Sequence, residues 1–113
     1  MNHRGLALAA LLAVPACAAA PARTAPAAVD TAADEQELAE ATKAIQDARS
    51  ELVVPRAESQ CQPVCRLSEI ICTASERICA IADRHRGEAL YAQKCKDAEG
   101  SCTEARGDCE RCQ

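Results

Sequence analysis

At 113 residues the chain has room for one small domain, and the absence of Phe and Trp, with one Tyr and one Met, excludes a large hydrophobic core. A formal charge of −4, with acidic and basic residues interspersed, excludes the basic patch that nucleic-acid binding requires. Nine cysteines must carry much of the stability, since small chains poor in apolar surface depend on staples.

The chain opens with a positive segment, Met1 to Arg4, then an apolar run from Gly5 to Val14, then the small residues around Pro15-Ala16-Cys17-Ala18. That is the order of a signal peptide. The apolar run is too short to cross a bilayer as a helix, which takes about 20 residues. At Val14-Pro15-Ala16-Cys17 it resembles the lipobox of bacterial lipoproteins, with Val14 in place of the commoner Leu and Pro15 in place of a small residue. The resemblance implies removal of residues 1–16, acylation of Cys17 and anchoring to a membrane at the cell envelope. Ala18 instead of Asp implies the outer membrane, facing the periplasm, in a Gram-negative source. Ordinary cleavage after Ala18 is the alternative. Cysteine arithmetic favours lipidation: setting Cys17 aside leaves eight, an even number in two sets of four. Export also places these thiols where disulfides persist.

Residues 17–30 are rich in Ala and Pro, and Pro21 and Pro26 prevent a continuous helix. They read as a flexible tether. The folded domain is then 31–113, and its expected class is all-α.

The first expected helix spans about 31–52. It opens with the capping-box-like Thr31-Ala32-Ala33-Asp34 and ends before Pro55. Leu38, Ala41, Ile45, Ala48 and Leu52 recur at alternating steps of three and four, an apolar stripe along one side. A second helix is expected over about 59–85, with Pro63 tolerable only in its first turn and Gly87 beyond its end. A third is expected over about 88–112, weakened by Gly100 and Gly107 at roughly 1 kcal/mol each relative to Ala.

The cysteines relate the last two helices. Cys65, Cys72 and Cys79 step by seven, as do Cys95, Cys102 and Cys109. Paired as 79 with 95, 72 with 102 and 65 with 109, the residue numbers share a constant sum, as an antiparallel hairpin requires. Seven residues turn a helix about 700°, so three rungs stay on one face. The expected disulfides are Cys79–Cys95, Cys72–Cys102 and Cys65–Cys109, with Cys61–Cys112 as a slightly offset outer rung. Ser68, Ser75, Ala98 and Ala105, each four residues before a cysteine, are small enough to let the backbones approach to disulfide distance. The innermost bridge, closing a loop of about 15 residues, is worth roughly 3 kcal/mol in the loop-entropy account.

The second helix has another face. Val64, Leu67, Ile71, Ala74, Ile78 and Ile81 form an apolar stripe away from the cysteines, and the third helix has nothing comparable. Helix two is therefore central. Its Ile71/Ile78 stripe meets either the Leu38/Ile45/Leu52 stripe of helix one or a partner, in the form of another protein or a second copy.

The chemistry-bearing candidates are few. Cys109-Glu110-Arg111-Cys112 is a C-x-x-C, but it lies at a helix C-terminus, whereas reactive dithiols gain thiolate character at an N-terminus. Cys61, Cys65, Cys109 and Cys112 form two pairs one turn apart, a possible four-thiolate zinc set. A wider soft-metal reading resembles the bacterial copper-storage proteins, whose dense C-x-x-x-C pairs find one match here, Cys61-Cys65. His85, within Arg84-His85-Arg86, reads as a solvated loop residue. No Ser-His-Asp order, phosphate loop or H-E-x-x-H supports an enzyme, and no cofactor is implied. The stapled hairpin resembles, in architecture only, the mitochondrial twin C-x9-C hairpins and the plant α-hairpinins; its C-x6-C spacing differs, so no activity carries over. The expectation is a non-catalytic envelope protein of structural or interaction type, with soft-metal binding as the alternative.

Overall fold

The computed structural model describes residues 29–113; the signal segment, Cys17 and most of the tether lie outside the described residues. Three helices follow one another: α1 (Thr31–Ala57), α2 (Cys61–Arg84) and α3 (Ala89–Cys112). The fold is all-α, with α2 central, packed closely on α3 and also on α1.

The start of α1 differs from the capping box expected. Asp30, one residue earlier, is the N-cap, and its side chain accepts a hydrogen bond from the Ala33 amide at 3.1 Å. Asp34 is thereby released from capping and turns inward.

The other end differs too, because α1 continues through Pro55 to Ala57. A proline so near a terminus forfeits one backbone bond, while the carbonyls around it are used by the end of the helix. Gln60 N–H donates to the Pro55 carbonyl at 2.9 Å and Ser59 N–H to that of Arg56 at 3.3 Å. This is the pair of bonds of a Schellman motif, with Ser59 at φ 54°, the left-handed position that glycine usually fills. In α2, Pro63 occupies the first turn, where its missing N–H has no helical partner to lose. A turn from His85 to Glu88 then reverses the chain, closed by Glu88 N–H on the His85 carbonyl at 3.1 Å, with Gly87 at φ 86°.

Four disulfides bind α2 to α3: Cys61–Cys112, Cys65–Cys109, Cys72–Cys102 and Cys79–Cys95. The three regular rungs have Cα–Cα distances of 4.6 to 4.7 Å and the outer one 5.2 Å. With a Cα radius of about 2.3 Å on each helix, the axes lie about 9 Å apart. Ser68, Ser75, Ala98 and Ala105 are all buried in this interface, and their small side chains permit the approach.

The opposite face of α2 packs on α1. Ala41, Ile45, Ala48 and Leu52 are buried against Val64, Leu67, Ile71, Ala74 and Ile78, with Leu38 partly buried at the edge. The two stripes that the sequence leaves open to a partner, Leu38/Ile45/Leu52 and Ile71/Ile78, thus cover each other within one chain, and Ile71 has no exposed surface. Burial of each large aliphatic side chain contributes roughly 1.5–3 kcal/mol. At the far end of α1, Arg56 reaches across to Asp108 of α3 at 3.1 Å.

Candidate functional site

Three helix ends meet beside the hairpin turn: the start of α1, the end of α2 and the start of α3. The charges found there are those each end favours, carboxylates at N-termini and basic groups at a C-terminus. Asp34 on the first turn of α1 faces Arg84 and His85, which close α2, and Glu88 is the N-cap of α3.

Asp34 sits at the centre of a polar cluster. Arg84 donates to both its oxygens, from Nη2 to Oδ1 at 2.6 Å and from Nε to Oδ2 at 3.3 Å. This two-point grip fixes geometry as well as charge. His85 Nε2 lies 2.8 Å from Asp34 Oδ2, and its Nδ1 lies 3.1 Å from Glu88 Oε2. Tyr91 of α3 stacks on the imidazole with centroids 3.9 Å apart and planes 9° from parallel. Glu37 adds a contact to Arg84 at 3.5 Å and another to Arg77 at 3.5 Å.

His85 is therefore no solvated loop residue. Its side chain is 4% exposed, because the turn folds it inward between Asp34 and the Tyr91 ring. The hydrogen bonds from Arg84, then that from His85, hold the Asp34 carboxyl below the usual carboxylate range against the opposing effect of burial. The bond to Asp34 also raises Arg84. Burial, reinforced by the negative charges of Glu35, Glu88 and Asp34, pushes the Tyr91 hydroxyl up. Among the described residues, no buried side-chain polar atom lacks a partner. Both His85 nitrogens are engaged by carboxylates, and the cluster joins α1 to the hairpin.

The cysteines expected as a thiolate set, Cys61, Cys65, Cys109 and Cys112, do converge at the opposite end of the hairpin. They form two disulfides there, and a bridged sulfur is not the thiolate a zinc or copper site needs. Cys79, Cys95 and Glu99 also bring donor atoms within 4.8 Å of one another, but those two sulfurs are bonded together. The C-x-x-C cysteines Cys109 and Cys112 pair with Cys65 and Cys61 and not with each other.

Open hollows also mark the surface of the described residues. An open groove of about 410 Å³ runs along the disulfide face past Ser68, Glu69, Cys72 and Arg106. A hollow of about 500 Å³ lies at the hairpin turn, lined by Ala82, Arg86, Gly87, Ala89 and Ala92. No described helix is long and apolar enough to cross a membrane. No protein-family model, curated protein or solved structure matches this chain.

Proposed function

We propose that this is a small lipid-anchored protein of the cell envelope, structural or protein-binding in role and without catalysis of its own. The observation that carries this reading is the division of the cysteines. Eight are engaged in disulfides, and the ninth, Cys17, occupies the lipobox-like position behind an export-type leader. Disulfides at this density belong to oxidising compartments. Stable anchoring requires more than one acyl chain, because a single chain holds weakly and reversibly. The Ala/Pro-rich stretch after Cys17 would hold the stapled bundle off the membrane surface.

Membrane fractionation of the natural chain against Cys17→Ser tests the anchor. The natural chain partitions with membranes and carries acyl mass on Cys17, and the variant becomes soluble. Equal solubility of both overturns the anchoring. The convergence of Cys61, Cys65, Cys109 and Cys112 at one end supports a second reading, soft-metal binding by the reduced protein. Alkylation of protein taken from its native envelope, without reduction, separates the two. Four or more labelled thiols accompanied by copper or zinc favour metal binding, and none among the eight favours the structural role.

A further inference from the structure

We propose that the cluster of Asp34, Arg84 and His85 is a fastener that acid opens, freeing α1 from the cross-linked hairpin and uncovering the Ile71/Ile78 stripe. Three observations combine. The hairpin cannot come apart, because four covalent rungs tie α2 to α3 along its length. Helix α1 has no covalent tie except the short connection to α2, which contains Ser59 in a left-handed conformation costly to non-glycine residues. At the end remote from that connection, the buried polar contact of α1 is Asp34, gripped by Arg84 and His85, with half-exposed Glu37 adding contacts to Arg84 and Arg77. Opening therefore has one direction. The part that moves is α1, and what it uncovers is the apolar face of α2.

The groups facing Asp34 set the sign. From α2 and the turn come Arg84 and His85, and from α3 comes Tyr91, stacked on His85. Glu88 contacts the other His85 nitrogen, while Glu37 on α1 shares Arg84. Asp34 titrates below its unfolded value of about 3.9, so its contribution is fully present above that value. It is lost as the pH falls through the lowered folded value. Neutral and mildly acidic conditions keep the fastener closed. Strong acid opens it by removing the one negative charge shared by Arg84 and His85.

The test is hydrogen exchange on the full oxidised chain between pH 7 and pH 2, corrected for intrinsic exchange rates, with α1 read separately from α3. Acid raises exchange at least tenfold in α1 while α3 keeps its protection. In Asp34→Asn, which removes the charge at every pH, α1 exchanges at least tenfold faster already at pH 7, and acid adds little. Glu37→Gln retains the acid response, which distinguishes Asp34 from general protonation of carboxylates. The proposal is overturned if α1 and α3 lose protection together, or if Asp34→Asn leaves α1 protected at pH 7. A full acid response remaining in Asp34→Asn also overturns it.

Discussion

Helix α2 meets α3 through cysteines and small side chains, and meets α1 through branched aliphatic ones. The first contact sets Ser68, Ser75, Ala98 and Ala105 around four sulfur bridges. The second sets Val64, Leu67, Ile71 and Ile78 against Ile45 and Leu52, with no covalent bond across it. One interface resists separation because its partners are chemically joined, the other because water is excluded. With twelve Leu, Ile and Val after residue 31, the chain can build one apolar interface of ordinary quality. The covalent ladder supplies the other where those residues run out. Stability in so small a bundle is therefore divided unequally, and each half should fail under a different insult.

Reduction is the harshest of these. A native disulfide in a small exported domain is worth about 2–5 kcal/mol, and whole domains have only about 5–15 kcal/mol. Complete reduction by an excess of dithiol should melt α3 first, since Gly100 and Gly107 weaken it and it has no large apolar face. Helical circular dichroism should fall by about a third or more at 25 °C, the share that α3 holds of the three helices. A reduced protein that kept its helicity would show that the aliphatic interface alone suffices.

Ile45→Asp attacks the opposite face. It places an unpaired carboxylate among buried Ile and Ala side chains, a cost of several kcal/mol. Limited proteolysis should then cleave within 31–57 and leave the oxidised 61–112 fragment intact. An unchanged digestion pattern with loss of a concentration-dependent dimer would mean that the stripe works between chains.

The smallest effects sharpen the comparison by adding stability to one side at a time. A Cβ at Gly100 meets nothing within 4 Å, so Gly100→Ala should stabilise α3 by about 1 kcal/mol. Ser59→Gly should relieve the left-handed joint after α1 by about the same amount. Each should raise the thermal midpoint by about 4–8 °C. A loss at Ser59→Gly would show that its hydroxyl, and not its backbone conformation, matters there.

The hairpin was legible because cysteine spacing is both periodic and geometrically strict. Two runs of seven-residue steps admit an antiparallel arrangement with all rungs on one face. The Leu38-to-Leu52 stripe was legible for the same reason of period, although which surface it covers was not. The polar cluster left no such trace. Asp34 and His85 are 51 positions apart, and a single long-range pair has no repeat to reveal it. The residues around Asp34 suit a capping box, yet Asp30 takes that role. Pro55 misled by the opposite route. Its local signal is that of a stop, yet one lost bond near a helix end is tolerated.

The nesting of the rungs has a mechanical consequence. The chain enters α1 at Asp30, beside the hairpin turn, whereas Cys61 and Cys112 are bonded to each other at the far end. A pull on Asp30 against a fixed hairpin loads the Asp34 contacts first and then peels α1 from α2 turn by turn. Helix α1 spans about 40 Å when folded, and residues 31–60 span about 100 Å when fully drawn out. Extension then stops at Cys61, because tension there passes through sulfur into Cys112 and bypasses the residues between them. The molecule is thus a spring of fixed travel, compliant over one helix and inextensible beyond it.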